Sequence, residues 1–441
     1  MEIRSFNRSS ITIRLLIIGL LILVLMIPSA MITSLVNERE QRKRSAILEI
    51  TSKWAQAQTI GGPVLTIPYE ELVKTEDGKF RTNTGFIKLL PRALEINGDI
   101  KPEIRYRGIY KAVLYNAKLM LKGDFSFAKL ENLNIPFHNI HWKEAFMALQ
   151  IPDMRGIKDN ITLSWDGQDY FFEPGIKTGT DLFESGVSVN LPLNDTTMMK
   201  NKNAFELNLN LNGSETLYFL PLGQKTSVKL TSPWISPSFD GAFLPEEREI
   251  TKNGFTATWK VLDLNRNFPQ QWTEKTNSAN LTASAFGVNL FSPVDEYQKT
   301  TRAIKYLVMF VGLTFLLFFL IEIFNKKRIH PIQYLLIGVS LCIFYVLLLS
   351  LSEHINFEFA YLIAVLSISS LITAYVGTTF KGKMITFVTA VLLLILYGFM
   401  YVLLQNQDYA LLLGSIGIFI ILAVVMYLSR NIDWYKIELN G

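Results

Sequence analysis

The chain has 441 residues, of which 49% are hydrophobic and 18% charged, and its formal net charge is +5. Apolar residues are concentrated in residues 11–36 and 303–428, and the long stretch between them has an ordinary soluble composition. Since about 20 apolar helical residues cross a bilayer core, this pattern excludes a wholly soluble protein. The small charge and the lack of a basic array argue against a nucleic-acid partner. With Cys342 as its only cysteine, the chain forms no internal disulfide.

The first predicted membrane span covers residues 15–36 and follows a short cytoplasmic N-terminus, residues 1–14. Three arginines precede the span: Arg4, Arg8 and Arg14. The segment PSA at 28–30 is a poor match to a signal-peptide cleavage site, and signal peptides carry apolar cores of only about 7–15 residues. We therefore interpret the segment as an uncleaved anchor.

Five further spans are predicted in a C-terminal bundle, at 303–324, 331–351, 357–377, 384–404 and 409–428. Each is predicted to be a helix, because an open backbone cannot cross lipid with its polar groups unsatisfied. The connecting loops are only a few residues long. The bundle itself therefore has no room for a second folded domain.

The distribution of lysine and arginine predicts the orientation. Alternate connections and the tail at 429–441 carry the basic residues Lys326, Lys327, Arg328, Lys381, Lys383, Arg430 and Lys436, whereas the loops at 352–356 and 405–408 carry none. The positive-inside rule then places both termini in the cytoplasm and residues 37–302 in the periplasm. The basic stretch at 37–45 opposes this assignment, but long loops translocate largely regardless of charge.

Residues 37–302 are predicted to form a mainly β domain, of sandwich type. The clearest strand pattern is FELNLNLNGSETLYFL (205–220), where apolar and polar residues alternate and Asn212-Gly213 suggests a hairpin turn. A helix is predicted near 141–150, and a joint between two subdomains near 193–203. Further strands are predicted at 64–72, 94–106, 110–122, 161–172, 186–192, 226–233 and 255–264.

Several segments, in order along nearly the whole chain, resemble the CreD family of bacterial inner-membrane proteins, also called cell envelope integrity proteins. The most similar segments are EITSKWAQAQTIGGPVLTIPY (49–69), SPWISPSFDGAFLP (232–245), residues 285–324 and residues 328–364. The resemblance implies one N-terminal span, a large periplasmic domain, a C-terminal membrane bundle and a role in envelope integrity. It implies no catalytic residues and no cofactor.

Ionisable residues at the predicted membrane edges are the first candidate site: Glu322, His330, Lys305, Glu353, His354 and Glu358. Intramembrane ionisable residues often serve a function. Glu322 is predicted near the inner surface, where it would reach towards Lys326, Arg328 and His330. Glu353 and His354 are predicted at the outer surface. A solvated ion-pair cluster and a proton or docking site are the alternatives for both groups.

Two motifs in the outer domain offer other chemistry. In HNIHWKE, His138, His141 and Glu144 would share one face of a helix and could bind a metal, although three-residue spacing also arises by coincidence. Trp234, Phe239 and Phe243 in the proline-rich loop could stack on cell-wall glycan or a protein partner. Packing within the domain is the alternative interpretation of these rings.

The sequence favours a non-enzymatic envelope protein, because it contains no G-x-S-x-G, P-loop or G-x-G-x-x-G motif. Its expected partners are the lipid bilayer and an envelope protein or glycan. Two alternatives remain: a transporter or channel that uses polar groups of the bundle, and an envelope-stress sensor that acts with a partner.

Overall fold

A computed structural model of the full chain divides into two compact units, one formed by residues 1–44 and 294–441 and the other by Ser45–Pro293. The structure describes residues 11–74, 80–128, 130–177, 182–194, 203–273, 281–290, 296–325, 329–406 and 409–430. Helix α1 begins in the first unit and ends in the second, since it runs without interruption from Ile11 to Trp54.

The helical unit contains most of α1 and six later helices. These are α2 Glu296–Lys305, α3 Leu307–Asn325, α4 Pro331–Ser352, α5 Phe357–Phe380, α6 Lys383–Gln405 and α7 Ala410–Ser429. Within the described residues, six helices (all except α2) are long and apolar enough to cross a membrane. The predicted one-plus-five arrangement around a mainly β region is therefore confirmed.

One predicted boundary changes. Helix α1 continues about five turns beyond the membrane span at 15–36, as the three- and four-residue spacing of Ile47, Ile50 and Trp54 predicts. The predicted span at 303–324 is divided at Tyr306, where the short, strongly amphipathic α2 gives way to the apolar α3.

The second unit is built from strands. They are β1 Gln58–Lys74, β2 Phe80–Leu89, β3 Ala93–Arg107, β4 Tyr110–Phe125, β5 Phe146–Gln150, β6 Thr162–Trp165, β7 Gln168–Phe171, β8 Glu173–Pro174, β9 Gly186–Asn190, β10 Asn203–Ser214, β11 Thr216–Phe219, β12 Lys225–Ser232, β13 Ser238–Gly241, β14 Glu247–Thr251, β15 Gly254–Leu262, β16 Gln271–Thr273 and β17 Phe286–Asn289. Short 3-10 turns connect several of them.

The described strands form two sheets. One has the order β14-β15-β12-β3-β4-β10-β6-β7; the other has the order β13-β17-β11-β1-β5-β9-β8, with β2 and β16 continuing from β1. Apolar residues from both sheets form one hydrophobic core, which contains Leu121 and Leu207 from one sheet and Ile67 and Met147 from the other. This common core explains why the β region is one unit. The predicted joint at 193–203 falls largely on residues outside the described part of the chain.

The hairpin predicted at Asn212-Gly213 is wrong. Strand β10 continues through both residues to Ser214 and pairs with β4, while β11 pairs in parallel with β1 in the other sheet. The chain changes sheets at Glu215, which has a left-handed backbone with φ of 58°. Gly213 serves packing instead, because a Cβ there would lie 2.2 Å from the hydroxyl oxygen of Tyr115.

The helix predicted near 141–150 is also wrong. A 3-10 turn at Trp142–Glu144 is followed by strand β5, whose residues are almost all buried. A short apolar run such as AFMALQ fits either a buried helix or a central strand by periodicity alone. Pairing with β1 and β9 on either side fixes it as a strand.

Candidate functional site

A buried polar contact of the helical unit surrounds Glu322, near the end of α3. Its carboxylate is 2.9 Å from Nη1 of Arg14 in α1, and it accepts a hydrogen bond of 3.0 Å from the hydroxyl of Tyr334 in α4. Only 4% of the Glu322 side chain is exposed. One acid thus joins the consecutive helices α3 and α4 to α1, whose Arg14 is 308 residues away in the sequence.

The start of α4 places Tyr334 in this contact. His330 is the N-cap residue of α4: its Nδ1 accepts a hydrogen bond from the backbone N–H of Ile332, and its own N–H donates to Oε1 of Gln333. Pro331 occupies the first helical turn, where a missing N–H costs nothing. The cap fixes the first turn of α4, and the Tyr334 ring packs edge-on against Phe315 of α3.

This geometry corrects the expectation that Glu322 would reach out towards Lys326, Arg328 and His330. Glu322 is instead buried, and its cationic partner is Arg14. Lys326 and Arg328 lie outside the described residues. His330 uses its imidazole to cap α4. A buried carboxylate requires such partners, since an unpaired charge in an apolar environment costs several kcal/mol, on the order of 3–5.

A weaker contact lies at the opposite end of α4. Glu353 follows the last residue of the helix, and its carboxylate is 3.6 Å from Nη1 of Arg39 in α1. Glu358 lies in the first turn of α5, where a negative charge is favoured by the helix dipole. Among the described residues, no ion pair joins Lys305, His354 or Glu358 to this contact. The predicted six-residue set therefore separates into individual contacts.

Glu322 and Glu353 do not form one site. Helix α4 has 22 residues and is therefore about 33 Å long. Tyr334 binds Glu322 in its first turns, and Glu353 follows its last residue. No group of three or more metal-ligating residues occurs within the described part of the chain. The two acids cannot act on the same atom.

The core between the two acids is aromatic. Phe344 of α4 is in ring contact with Tyr345, Tyr361 and Tyr397, with centroid distances of 5.0, 5.7 and 4.7 Å. The hydroxyl of Tyr361 donates to the backbone carbonyl of Tyr397, and the hydroxyl of Tyr345 lies 3.8 Å from Sδ of Met400. These rings are buried and pack as a hydrophobic core would. The hydroxyls of Tyr345 and Tyr361 contact neighbouring groups of α6, and within the described residues no chain of hydrogen bonds links the two acids.

Close packing brings α1 against the bundle between its two ion pairs. Leu25, Ile32 and Val36 are buried, and their spacing gives one narrow stripe on a helix that is otherwise largely exposed. A Cβ on Gly338 of α4 would lie 2.2 Å from a methyl carbon of Leu25. Glycine at 338 therefore allows the close approach of α1 and α4.

A second buried polar cluster, which the sequence did not reveal, holds the end of α1 in the β unit. The carboxylate of Asp153 accepts hydrogen bonds from the backbone N–H of Gln56 and from the guanidinium of Arg155. Arg155 also donates to the backbone carbonyl of Ser52, in the last turn of α1. The side-chain amide of Gln58 donates to the carbonyl of Asp153. Helix carbonyls left without internal partners are thus satisfied by a cation.

Electrostatics favour the charged form of this cluster. The hydrogen bond from Arg155 holds the pKa of Asp153 below its usual value, with smaller contributions from the N–H groups of Gln56 and Arg155, against the opposing effect of burial. Gly156 completes the fit: a Cβ there would lie 2.3 Å from the carbonyl oxygen of Asn212. No local motif marks these residues, because Asp153 and Gln58 are 95 positions apart.

The histidine motif does not form a helical metal face. His138 lies in one 3-10 turn and His141 caps another. Nε2 of His141 is 3.4 Å from the carboxylate of Glu70 in β1, and Nδ1 is 3.8 Å from the carboxylate of Glu144. The near neighbours of His141 are therefore two acids, and His138 is not among them. The three-residue spacing in the sequence therefore does not place three ligands on one side.

The aromatic loop packs inward. Phe239 makes edge contacts with Phe255 and Trp259 at 5.6 Å, and Phe243 contacts Phe286 at 5.9 Å. Trp234 is partly buried against the same core, and its indole N–H donates to the carbonyl of Ser236. The rings of Phe239 and Phe243 thus serve the core, as the packing interpretation predicts, rather than a stacking platform for glycan.

Comparison with known proteins decides the family. A family model described as inner membrane protein CreD matches residues 10–435. The chain belongs to the CreD family. It is 35% identical over 421 residues to the inner membrane protein CreD of Escherichia coli strain K12, and the match covers 95% of this chain and 92% of that protein.

CreD-family membership confirms the resemblance inferred from sequence segments, and with it a multi-pass protein of the inner membrane. The matched region contains both units, including Arg14, Glu322 and Tyr334 as well as Asp153. The residues that make the polar contacts of α1 therefore all lie within the region that the CreD family model matches.

Proposed function

We propose that this CreD-family protein contributes to cell envelope integrity without catalysing a reaction, through a β-rich domain exposed to the periplasm. The observation that supports this most directly is the size of the β unit, Ser45–Pro293, which lies between α1 and the bundle in the sequence. The described connections within the bundle are short, such as the turn between Ser352 and Phe357. A water-exposed activity therefore has its main surface on the β unit.

The proposed orientation has both termini in the cytoplasm, on the basis of the lysine and arginine bias. Labelling of single cysteines by a membrane-impermeant maleimide in spheroplasts would test it. In a Cys342→Ala background, Lys252→Cys at an exposed turn of the β unit should be labelled, and Lys381→Cys between α5 and α6 should react only after lysis. The reverse pattern would contradict the orientation.

The proposed role can be tested by complementation of a deletion strain under envelope stress, combined with photo-crosslinking from the β unit. A photo-reactive residue at exposed Lys252 or Glu247 should capture a defined envelope protein or glycan under conditions where the wild-type chain restores growth. Crosslinks only to lipid from every exposed position would contradict a periplasmic partner. Full complementation by the spans alone would contradict action through the β unit.

Transport through the bundle is the second candidate, and the buried acid Glu322 is the observation that favours it. A proton-carrying carboxylate is essential in such a mechanism. Glu322→Gln keeps the size of the side chain and an acceptor for Tyr334, so a purely structural role predicts retained complementation. Loss of complementation by Glu322→Gln, at normal protein levels, would favour transport instead.

A further inference from the structure

We propose that the groove between α5 and α6, at the end where α5 stops and α6 starts, binds an anionic phospholipid. The groove has a volume of about 630 Å³ and is lined by residues of both helices, among them Thr373, Gly377, Lys381, Lys383, Thr386 and Phe387. It lies entirely within the helical unit. Its mouth is cationic, and its walls become apolar towards Phe387 and Ala390.

The cations at the mouth are available for a phosphate group. Lys381 and Lys383 are both exposed, and neither forms an ion pair within the described part of the chain. Lys381 adopts a left-handed backbone, with φ of 47° and ψ of 28°, at the position after a helix where glycine is usual. Gly382 follows directly, so this turn places lysines on both sides of its glycine. Two unpaired ammonium groups beside one groove complement a phosphate.

The start of α6 adds donors to the same mouth. Gly382 is the N-cap residue, and no side chain caps the helix there. The first intrahelical hydrogen bond runs from the N–H of Thr386 to the carbonyl of Gly382, which leaves earlier N–H groups without an internal partner. Free N–H groups and the helix dipole favour an anion. In this site they reinforce the two lysines.

The walls fit the remainder of a lipid rather than a free anion. Thr373 and Gly377 are four residues apart on one face of α5, and Lys381 follows the end of that helix, so the groove extends about 12 Å from Thr373 to the turn. Gly377 allows α6 to approach α5 closely on this wall, because a Cβ there would lie 3.3 Å from the side chain of Thr386. Phe387 of α6 lines the opposite wall, and the acyl chain of the lipid would lie against it.

Native mass spectrometry of the full chain in detergent, titrated with phosphatidylglycerol or phosphatidylcholine, tests the proposal. The wild-type chain should retain phosphatidylglycerol in preference to phosphatidylcholine. Each lysine lost should weaken binding roughly fivefold, so Lys381→Gln/Lys383→Gln should lose about 25-fold. Lys305→Gln, which removes an exposed cation from α2, is the matched control and should bind as the wild type does.

A second variant tests the groove itself. Ala390→Leu keeps both lysines and fills the wall, so it should lose phosphatidylglycerol while a double Lys→Arg variant retains it. Equal binding by the wild type and the lysine double variant would overturn the proposal. Equal retention of phosphatidylcholine would also overturn it, as would displacement of the lipid by an equal concentration of inorganic phosphate.

Discussion

Arg14 and Glu322 are 308 residues apart in the sequence, yet their side chains form an ion pair of 2.9 Å. The pair joins the first span to the first long helix of the C-terminal bundle. The Glu322 carboxylate is almost fully buried, and the Arg14 side chain is only 25% exposed. Loss of either partner should therefore have a larger effect than loss of a surface pair.

Arg14→Gln should destabilise the protein more than Glu322→Gln does. Removal of the arginine leaves a buried carboxylate without its cation, whereas glutamine at 322 is neutral and still accepts a hydrogen bond from Tyr334. We expect a coupling energy of about 1–3 kcal/mol from a double-mutant cycle of thermal unfolding in detergent. Glu358→Gln, at an exposed acid in α5, is the control and should change little. Additive effects of the two single variants would contradict the pair.

The contact of Arg39 with Glu353 should contribute less. Only 8% of the Glu353 side chain is exposed, but the separation is 3.6 Å and Arg39 is 38% exposed, so solvent reaches the cation and screens the attraction. Arg39→Gln should lower the unfolding free energy by about 1 kcal/mol or less. The difference from wild type should shrink further between low and high salt in detergent. A salt-independent loss as large as that of Arg14→Gln would contradict this ranking.

Gly338→Val should weaken the association of α1 with the bundle, because even a Cβ at 338 would meet Leu25 and Phe315. Overpacking of this kind typically costs about 1–3 kcal/mol. Gly312→Val is a matched control in α3, since a Cβ there has nothing within 4 Å. Leu25→Ala should partly restore the unfolding temperature of Gly338→Val. If both valine variants unfold alike, glycine at 338 has no role in close packing.

Asp153 should make the stability of the β unit depend on acid pH. Its folded-state pKa lies below the ordinary value of 3.8, chiefly through Arg155, so the ionised form is favoured in the folded state. Its contribution should be complete above the unfolded-state pKa and should be lost as the pH falls through the lower folded-state value.

The corresponding variant is Asp153→Asn, which should lower the unfolding free energy at neutral pH by about 2 kcal/mol. The variant should also have a smaller loss of stability on acidification than the wild type, as followed by near-ultraviolet circular dichroism of the full chain. Asp169→Asn, at an exposed position of β7, is the control and should follow the wild-type profile. Identical acid profiles for Asp153→Asn and wild type would show that the cluster adds no ionic stabilisation.

The helical architecture was predictable because the signal for a membrane helix is local. The length and the apolar composition of a segment such as residues 357–377 can be read directly from the sequence. The structure changes the bounds of this helix by only a few residues. The partners of Glu322 were not predictable in this way. Nearby Lys326 and Arg328 seemed the natural cations, but pairing with Arg14 depends on how α1 packs against the bundle.

In the β unit, too, local patterns were predictable from the sequence and contacts between distant segments were not. Alternation correctly predicted the strand through Phe205, Leu207, Leu209 and Leu211. It could not reveal that Asn212-Gly213 lies within a strand, since that depends on the Tyr115 ring of a neighbouring strand. The Asp153 cluster was missed for a related reason: its members contact backbone atoms of segments brought together only by the completed fold.

The position of β11 has a consequence for how the protein is made. Leu217 pairs with Gln58 on one side and with Val288 on the other, so the first and last strands of the β unit flank the same short strand. The sheet therefore cannot be finished until the segment just ahead of the bundle has left the ribosome. Nascent chains that stop before Phe286 would expose an open sheet edge at β11, which could pair with another chain.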